Sequence, residues 1–222
     1  AMFPVEAVHR IGILDLRLMN TDRHSGNILV CKTEEVVEVA NDGNAEVKTY
    51  SLPTVDLVPI DHGYALPHTL EDVCFEWEFW PQAKQPFSES TKDYIDTLDA
   101  EEDIEYLRDN DIELRPSSER VLKVSTMLLK RAAKMDIPPA DIAAIMSRSI
   151  PTRMSDAEKL VAKAASTAIC ACRSERGELV HKSPSNGSFW NDLDEEGKNA
   201  ESIFMREFER GLDVYLIERK RE

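Results

Sequence analysis

The residues with the most chemistry in the least length are Asn20-Thr-Asp-Arg-His-Ser-Gly-Asn27. They put an acid, a base, an imidazole, a glycine and an amide into eight positions, just before the apolar run Ile28-Leu-Val-Cys31. A second acid, Asp61, ends another apolar run, Val55-Asp-Leu-Val-Pro-Ile60, and His62-Gly63 follow it. Two polar clusters, each at one end of a strand, describe a metal–phosphate site better than a core. Phosphoryl transfer asks three things of such residues: a group to position or deprotonate the acceptor hydroxyl, oxygen ligands for magnesium on the β- and γ-phosphates, and an apolar platform for the nucleotide. Asp22 and His24 are candidates for the first. Asn27 and Asp61 are hard-oxygen ligands suited to the second. Leu29 and Ile60, beside those ligands, suit the third.

The spacing carries part of the argument. Asp22 and Asn27 stand five apart, as do the acid and amide of the H-R-D-x-x-x-x-N loop, which directs one side chain to the acceptor and the next to the metal. Gly26 lets the backbone turn sharply before Asn27. The local alternative is an Asx-type turn, with Asp22 and Asn27 bonding nearby backbone. Against it stands Asp61, because an acid directly after an apolar strand is costly to bury without a metal or a donor. His24 is read equally as a catalytic group and as a structural hydrogen-bonding residue. His9, His68 and His181 have no evident partners and read as surface residues.

Several elements must position these residues. Pro4 suits a first helical turn, and Val8, Ile11, Leu14 and Leu18 recur at helical spacing through Met19, with Gly12 a weak point. Ile28–Cys31 and Thr54–Ile60 read as short strands. Between them Glu35–Val39 and Ala45–Tyr50 flank Asn41-Asp-Gly-Asn44, a hairpin signal, read as a separate polar excursion. Phe75, Trp77, Phe79 and Trp80 form a dense aromatic run, either a small core or an interfacial anchor. Helices follow over Ser90–Leu98, after Asp99 (a capping box), after Ser118 and after Pro138-Pro139. Another follows Ser155-Asp-Ala-Glu158, a clean capping box. Arg173–Trp190 reads as a linker before a final amphipathic stretch.

A net charge of −15 on 222 residues argues against general binding to nucleic acid, since no basic excess displaces counterions from a phosphate backbone. Charge is uneven: eleven acids lie between Glu89 and Glu113, whereas Arg120, Lys123, Lys130, Arg131 and Lys134 form a basic run. Both read as solvated helix faces, with an anionic membrane the alternative for the basic run. Cys31, Cys74, Cys170 and Cys172 show no disulfide or zinc spacing and read as free thiols in a reducing compartment. No signal peptide or membrane-length apolar run is evident. Helical periodicity starts almost at once, so the chain reads as one that begins inside a larger fold.

The order D-R-H-x-G-N-I-L, strand, insert, strand, D-H-G resembles the C-terminal lobe of the phosphatidylinositol 3-/4-kinases, and most closely their plant-type gamma 4-kinase branch. Asn20–Leu29 and Leu57–Pro67 carry the likeness. Phe75-Glu-Trp77, Trp80-Pro-Gln-Ala83, Pro86-Phe87 and Arg120–Lys130 extend it. The resemblance implies an α+β fold: a protein-kinase-like C-terminal lobe, mostly α-helical, with a small β-hairpin portion beside the catalytic loop. The lobe spans residues 1–175, with 176–222 a polar linker and a C-terminal amphipathic helix. It implies that Asp22, with His24, is the acid/base toward an inositol hydroxyl, that Arg23 orients the loop, and that Asn27 and Asp61 bind the metal. Leu29 and Ile60 would floor the adenine pocket. The residues after Gly63 would meet the lipid headgroup, and His62 replaces the Phe of D-F-G. The implied cofactors are ATP and Mg2+ (or Mn2+). The implied acceptor is phosphatidylinositol in a membrane surface, at its 4-position, with the chain cytoplasmic and peripheral to membranes. One departure matters. The family's phosphate-covering loop and strand lysine have no counterpart in the residues before Asp22, so the chain is expected to carry half a site. Two other readings stay open: a serine/threonine protein kinase of the same family, and a catalytically incomplete binding module. No nucleic acid partner is expected.

Overall fold

A computed structural model describes residues 3–40, 47–70, 72–177 and 189–221, with side chains throughout save at 33, 35–53 and 189. Helix α1 (Val5–Leu18) opens the chain behind Pro4 and ends at Met19 in the left-handed conformation (φ 47°). A short 3-10 turn (Ser25–Asn27) leads into strand β1 (Ile28–Ala40), which pairs antiparallel with β2 (Val47–Pro59). A second 3-10 turn covers Glu76–Phe79. Then come α2 (Glu89–Thr97), α3 (Ala100–Asp109), α4 (Pro116–Lys134), α5 (Pro139–Met146), α6 (Asp156–Glu175) and α7 (Phe189–Arg219). The chain is thus mostly helical with one small two-stranded sheet among the described residues, as the resemblance implied.

The sheet departs from the sequence reading. The two short strands and the polar hairpin between them are one ladder, running from Ile28↔Pro59 to Ala40↔Val47. The reason is register: each strand contributes 13 residues, so the pairing continues past Cys31 without a bulge. The expected Asn41–Asn44 turn lies outside the described residues.

The core gathers around α1 and α4, which pack on each other. The Glu76–Phe79 turn and α5 close one side, and α6 and α7 close another. Val8, Leu16, Val121, Leu129, Ile142, Ile145, Val161 and Phe204 are all wholly buried within it. The tail helix belongs to this same core through Trp190, Leu193, Phe208, Leu212 and Leu216. Trp190 is therefore not in a linker, and α6 runs on to Glu175. Gly197 (φ 75°) divides α7 into two helical pieces.

Two helix starts illustrate what local sequence does and does not decide. Ser155 and Glu158 form a reciprocal capping box on α6. Arg148 reinforces it by forking onto the Glu158 carboxylate (Nε–Oε2 2.8 Å). Burial works against the Glu158 charge, but Arg148 and the Ser155 N–H outweigh it and hold its pKa below the ordinary glutamate range. A depressed folded-state pKa gives stability that is present above the unfolded value and is lost as pH falls through the folded one. Glu158→Gln is expected to cost about 2 kcal/mol at neutral pH and to flatten the acid limb of the stability profile. Urea melts at neutral and acid pH check both; parallel profiles for the two proteins would contradict it. Ser118, by contrast, is not a cap. Helix α4 begins two residues earlier, at Pro116, whose fixed φ suits a first turn. The Ser118 hydroxyl is buried and donates to the Leu66 carbonyl (3.0 Å).

The histidine and charge readings also need correction. His9 is fully buried, not on the surface. It lies on the inner side of α1 with Nε2 3.0 Å from the Gln82 carbonyl and its ring edge-on to Phe87. Burial lowers its pKa, so the neutral ring donates from Nε2. His68 is exposed, and His181 lies outside the described residues. The basic run on α4 is engaged within the chain. Lys123 pairs with Glu101 (2.9 Å), Lys134 with Asp96 (2.6 Å), Arg131 with Glu209 and Asp213, and Arg120 with Asp194 and Glu201. The acids of α2, α3 and α7 thus meet the charges that an anionic membrane would otherwise attract. Cys31, Cys74, Cys170 and Cys172 are all free thiols. Among the described residues, no helix is long and apolar enough to cross a membrane.

Candidate active site

The site lies where α1 ends and the hairpin begins. Residues 20–27 leave the left-handed end of α1 and enter β1, and β2 returns beside them to Ile60 and Asp61. The Ile60 N–H donates to the Asn27 carbonyl (3.0 Å), one rung beyond the Ile28↔Pro59 pair. Asn27 and Asp61, distant in sequence, are therefore held at the same end of the sheet. Asp61 has a left-handed backbone (φ 54°), tolerated by aspartate better than by most residues, and its carboxylate is exposed.

Arg23 ties these segments together. Its side chain and that of Asp15 are both fully buried, joined through Nε to Oδ2 at 2.9 Å and to Oδ1 at 3.0 Å. Nη1 donates to the carbonyls of Asn27 (2.7 Å) and Ile60 (2.8 Å), and Nη2 lies 3.0 Å from His62 Nδ1. Arginine is protonated at any physiological pH, so His62 Nδ1 is the acceptor. His62, standing where a kinase has phenylalanine, thereby takes part in a polar contact. The Asp15 carboxylate also accepts from Trp77 Nε1 (2.9 Å) and Asn20 Nδ2 (3.3 Å). Burial pushes the Asp15 pKa up and Arg23 pulls against it; with every neighbour a donor, the ionised form is the one the geometry accommodates.

Of the remaining site residues Asp22, His24 and Asp61 face outward, whereas Asn27 does not. The Asp22 side chain is 44% exposed, with His24 Nε2 4.0 Å from Oδ1. His24 Nδ1 accepts from the Gly26 N–H (3.0 Å), which leaves Nε2 as the ring's donor, turned toward Asp22. A Cβ at Gly26 would stand 2.8 Å from His24 Cε1, so the residue there must be glycine for the ring to take this place. Asn27 is buried and its Nδ2 donates to the Asp22 carbonyl (3.0 Å). That bond commits the amide nitrogen and leaves Oδ1 as the open ligand atom. Asp61 makes no ion pair among the described residues; its carboxylate contact is a long one from the Gly63 N–H (3.5 Å). Among the described residues, no three His, Cys, Asp or Glu side chains form a metal cage. A magnesium site of the phosphotransferase kind needs none, since one or two protein oxygens plus phosphates and waters complete it. Asn27 Oδ1 and the Asp61 carboxylate fit that donor set.

Leu29 is 48% exposed and faces Val58, 40% exposed, on the same rung, with Ile60 half-buried beyond. This open apolar patch adjoins the two oxygen ligands. The aromatic run splits: Phe75 and Trp77 are fully buried and stacked (5.3 Å between ring centroids), Trp80 packs on Phe3, and Phe79 is exposed. Both Phe75 and Trp77 thus belong to a core beneath the catalytic loop, and the Glu76 N–H donates to the Arg23 carbonyl (3.0 Å). Sequence reasoning missed Asp15, Asn20 and the polar role of Trp77. The available signal was an acid on the apolar stripe of α1, four residues after Ile11.

The phosphatidylinositol 3- and 4-kinase family model matches residues 1–142. A protein of Oryza sativa subsp. japonica named phosphatidylinositol 4-kinase gamma 4 is 44% identical over 162 residues, covering 73% of this chain and 26% of its own length. The Arabidopsis thaliana proteins named phosphatidylinositol 4-kinase gamma 3 and gamma 5 are 44% and 49% identical, over 72% and 67% of this chain and 25% and 21% of theirs. The chain spans about a quarter of the length of these relatives. No solved structure matches it. With a catalytic-loop sequence, a paired aspartate and a family match over more than half its residues, the chain belongs to the phosphatidylinositol 3- and 4-kinase family.

Proposed function

We propose that this chain is the C-terminal, protein-kinase-like lobe of an ATP-dependent phosphotransferase that acts on the 4-hydroxyl of phosphatidylinositol. The observation that carries it is the union of Asp22, Asn27 and Asp61 at one end of the hairpin, in a chain whose relatives bear that activity in their names. Asp22 is the base: its carboxylate is accessible, pairs with no Lys or Arg among the described residues, and would take the proton from the acceptor hydroxyl. His24 directs Nε2–H toward Asp22 and keeps the loop turned through its bond with Gly26. Asn27 Oδ1 and Asp61 would hold Mg2+, which when bound supplies positive charge to the transferring phosphate. Leu29, Val58 and Ile60 offer the apolar face for adenine. Arg23 touches no substrate in this scheme and acts as a positioning residue.

The lipid acceptor rests on the relatives' names, not on the aromatic segment, because Trp77 and Phe75 are buried, Trp80 is half-buried against Phe3, and Phe79 is the exposed ring. A protein acceptor is the second reading, favoured by the intramolecular pairing of the basic run. The test is transfer of labelled γ-phosphate from Mg-ATP by an enzyme that joins this chain to the family's phosphate-covering lobe, to phosphatidylinositol vesicles and, in parallel, to a protein acceptor, with Asp61→Ala as control. Label in the lipid that disappears in the control is the expected result. Label in the protein alone would move the acceptor class. Label in neither, with Mn2+ still bound, would favour a metal-binding module without turnover of its own.

A further inference from the structure

We propose that Asp15 is the positioning residue that fixes the two metal-ligand segments relative to each other. This rests on the assignment of Asn27 and Asp61 as ligands, but its structural content does not depend on any bound metal. Asp15 lies on α1, seven residues before Asp22, and touches neither candidate ligand. Its carboxylate instead collects donors from two surrounding segments: Asn20 and Arg23 from the loop that carries Asp22 and Asn27, and Trp77 from the turn beneath it.

The consequence follows from the shape of the guanidinium. A planar group held by Nε at one edge directs its terminal nitrogens in fixed directions. One of them, Nη1, donates to the carbonyls of both Asn27 and Ile60. The first carbonyl belongs to a ligand residue. The second belongs to the peptide that leads directly into the other ligand, Asp61. The same Asn27 carbonyl also accepts the Ile60 N–H. Two carbonyl dipoles that converge on one cation separate when the cation leaves, and Arg23 stays only while its buried charge is met. With Asp15 neutralised, an unpaired guanidinium in the core turns toward water and both peptides are released. The left-handed backbone of Asp61 (φ 54°) makes that peptide the one with most freedom to relax. Asp15 thus controls, from outside the site, where the second ligand points.

The test uses this chain and two readouts, amide hydrogen exchange and Mn2+ binding by paramagnetic broadening. Asp15→Asn keeps the volume and an acceptor for Trp77 while removing the charge. The Ile60 amide is expected to exchange at least tenfold faster than in the parent chain, the amides of Leu129 and Ile145 to be unchanged, and Mn2+ to bind at least tenfold more weakly. A residue that only stabilises the fold would move all amides together and leave the affinity of the folded fraction intact. Should Asp15→Asn not fold, the double variant Asp15→Leu/Arg23→Met replaces the buried pair with apolar side chains, a change that often restores stability but cannot bond the two carbonyls. The same two losses are expected of it. Parent-like Ile60 exchange in a folded variant overturns the proposal. Mn2+ binding by the parent chain that is indifferent to Asp61→Ala would instead overturn the metal assignment, and the Ile60 exchange would still decide the role of Asp15.

Discussion

In an enzyme carrying both lobes, Asp22→Asn is expected to leave Mn2+ and Mg-nucleotide binding within about twofold of the parent protein while slowing phosphate transfer by about 10²- to 10⁴-fold, the range that a general base contributes. The geometry separates the two effects. The loop contacts of residue 22 are made by its backbone: its N–H donates to Asn20 Oδ1 (3.2 Å) and its carbonyl accepts from Asn27 Nδ2. Asparagine preserves both, so the ligand amide stays in place and only the proton acceptor is lost. Asp61→Ala should do the reverse. It removes the one carboxylate of the ligand pair, and since loss of an outer-shell partner already costs about 10- to 100-fold in metal affinity, loss of a ligand should cost at least the upper figure. Transfer then fails because the phosphate is no longer held. Single-turnover transfer assays beside Mn2+ titrations distinguish the two variants. Parallel losses of binding and turnover in both would refute the division of roles between Asp22 and Asp61.

What could be read directly from the chain was whatever depends on neighbours in sequence. The Asp22–Asn27 spacing, the Ser155–Glu158 box, the helices that start at Pro4 and Pro138-Pro139 and the D-H-G after a strand are local chemistry, and the structure has them where patterning put them. What could not be read was pairing across the fold. Asp15 and Arg23 are eight apart and could be assigned partners only once α1 and the catalytic loop were folded against each other. His9 looked like a surface residue because its acceptor, the Gln82 carbonyl, is 73 positions away. The basic run of α4 looked free because its counterions sit on α2, α3 and α7. The aromatic run divided by burial and not by composition, since only the packing of Trp77 against α1 decides which rings face inward. Yet one sign of the hidden network was present: a carboxylate on an otherwise apolar helical stripe demands a buried partner, and the one arginine inside the polar loop downstream is that partner.

Trp77→Ala should destabilise the protein by about 3–5 kcal/mol, the usual cost of deleting a buried tryptophan side chain. Two losses combine in that figure. The ring is fully buried, stacked on Phe75, and lies 3.4 Å from where a Cβ at Gly12 would stand. The cavity would therefore open between α1 and the Glu76–Phe79 turn, both rigid, with little room to collapse. The indole N–H also leaves the Asp15 carboxylate with one donor fewer in a place water does not reach. Trp77→Phe separates the two: it keeps most of the volume and loses the donor, and should cost about 1–3 kcal/mol, the penalty for an unsatisfied buried polar group. Equilibrium urea unfolding of both variants gives the numbers. Values for Trp77→Ala within 1 kcal/mol of the parent would mean that the turn is not docked on α1. If the large loss is found, the core reading of the aromatic run holds for Trp77, which is then the floor on which the Asp22–Asn27 loop rests, because the contact it makes with α1 ends at the carboxylate that holds Arg23.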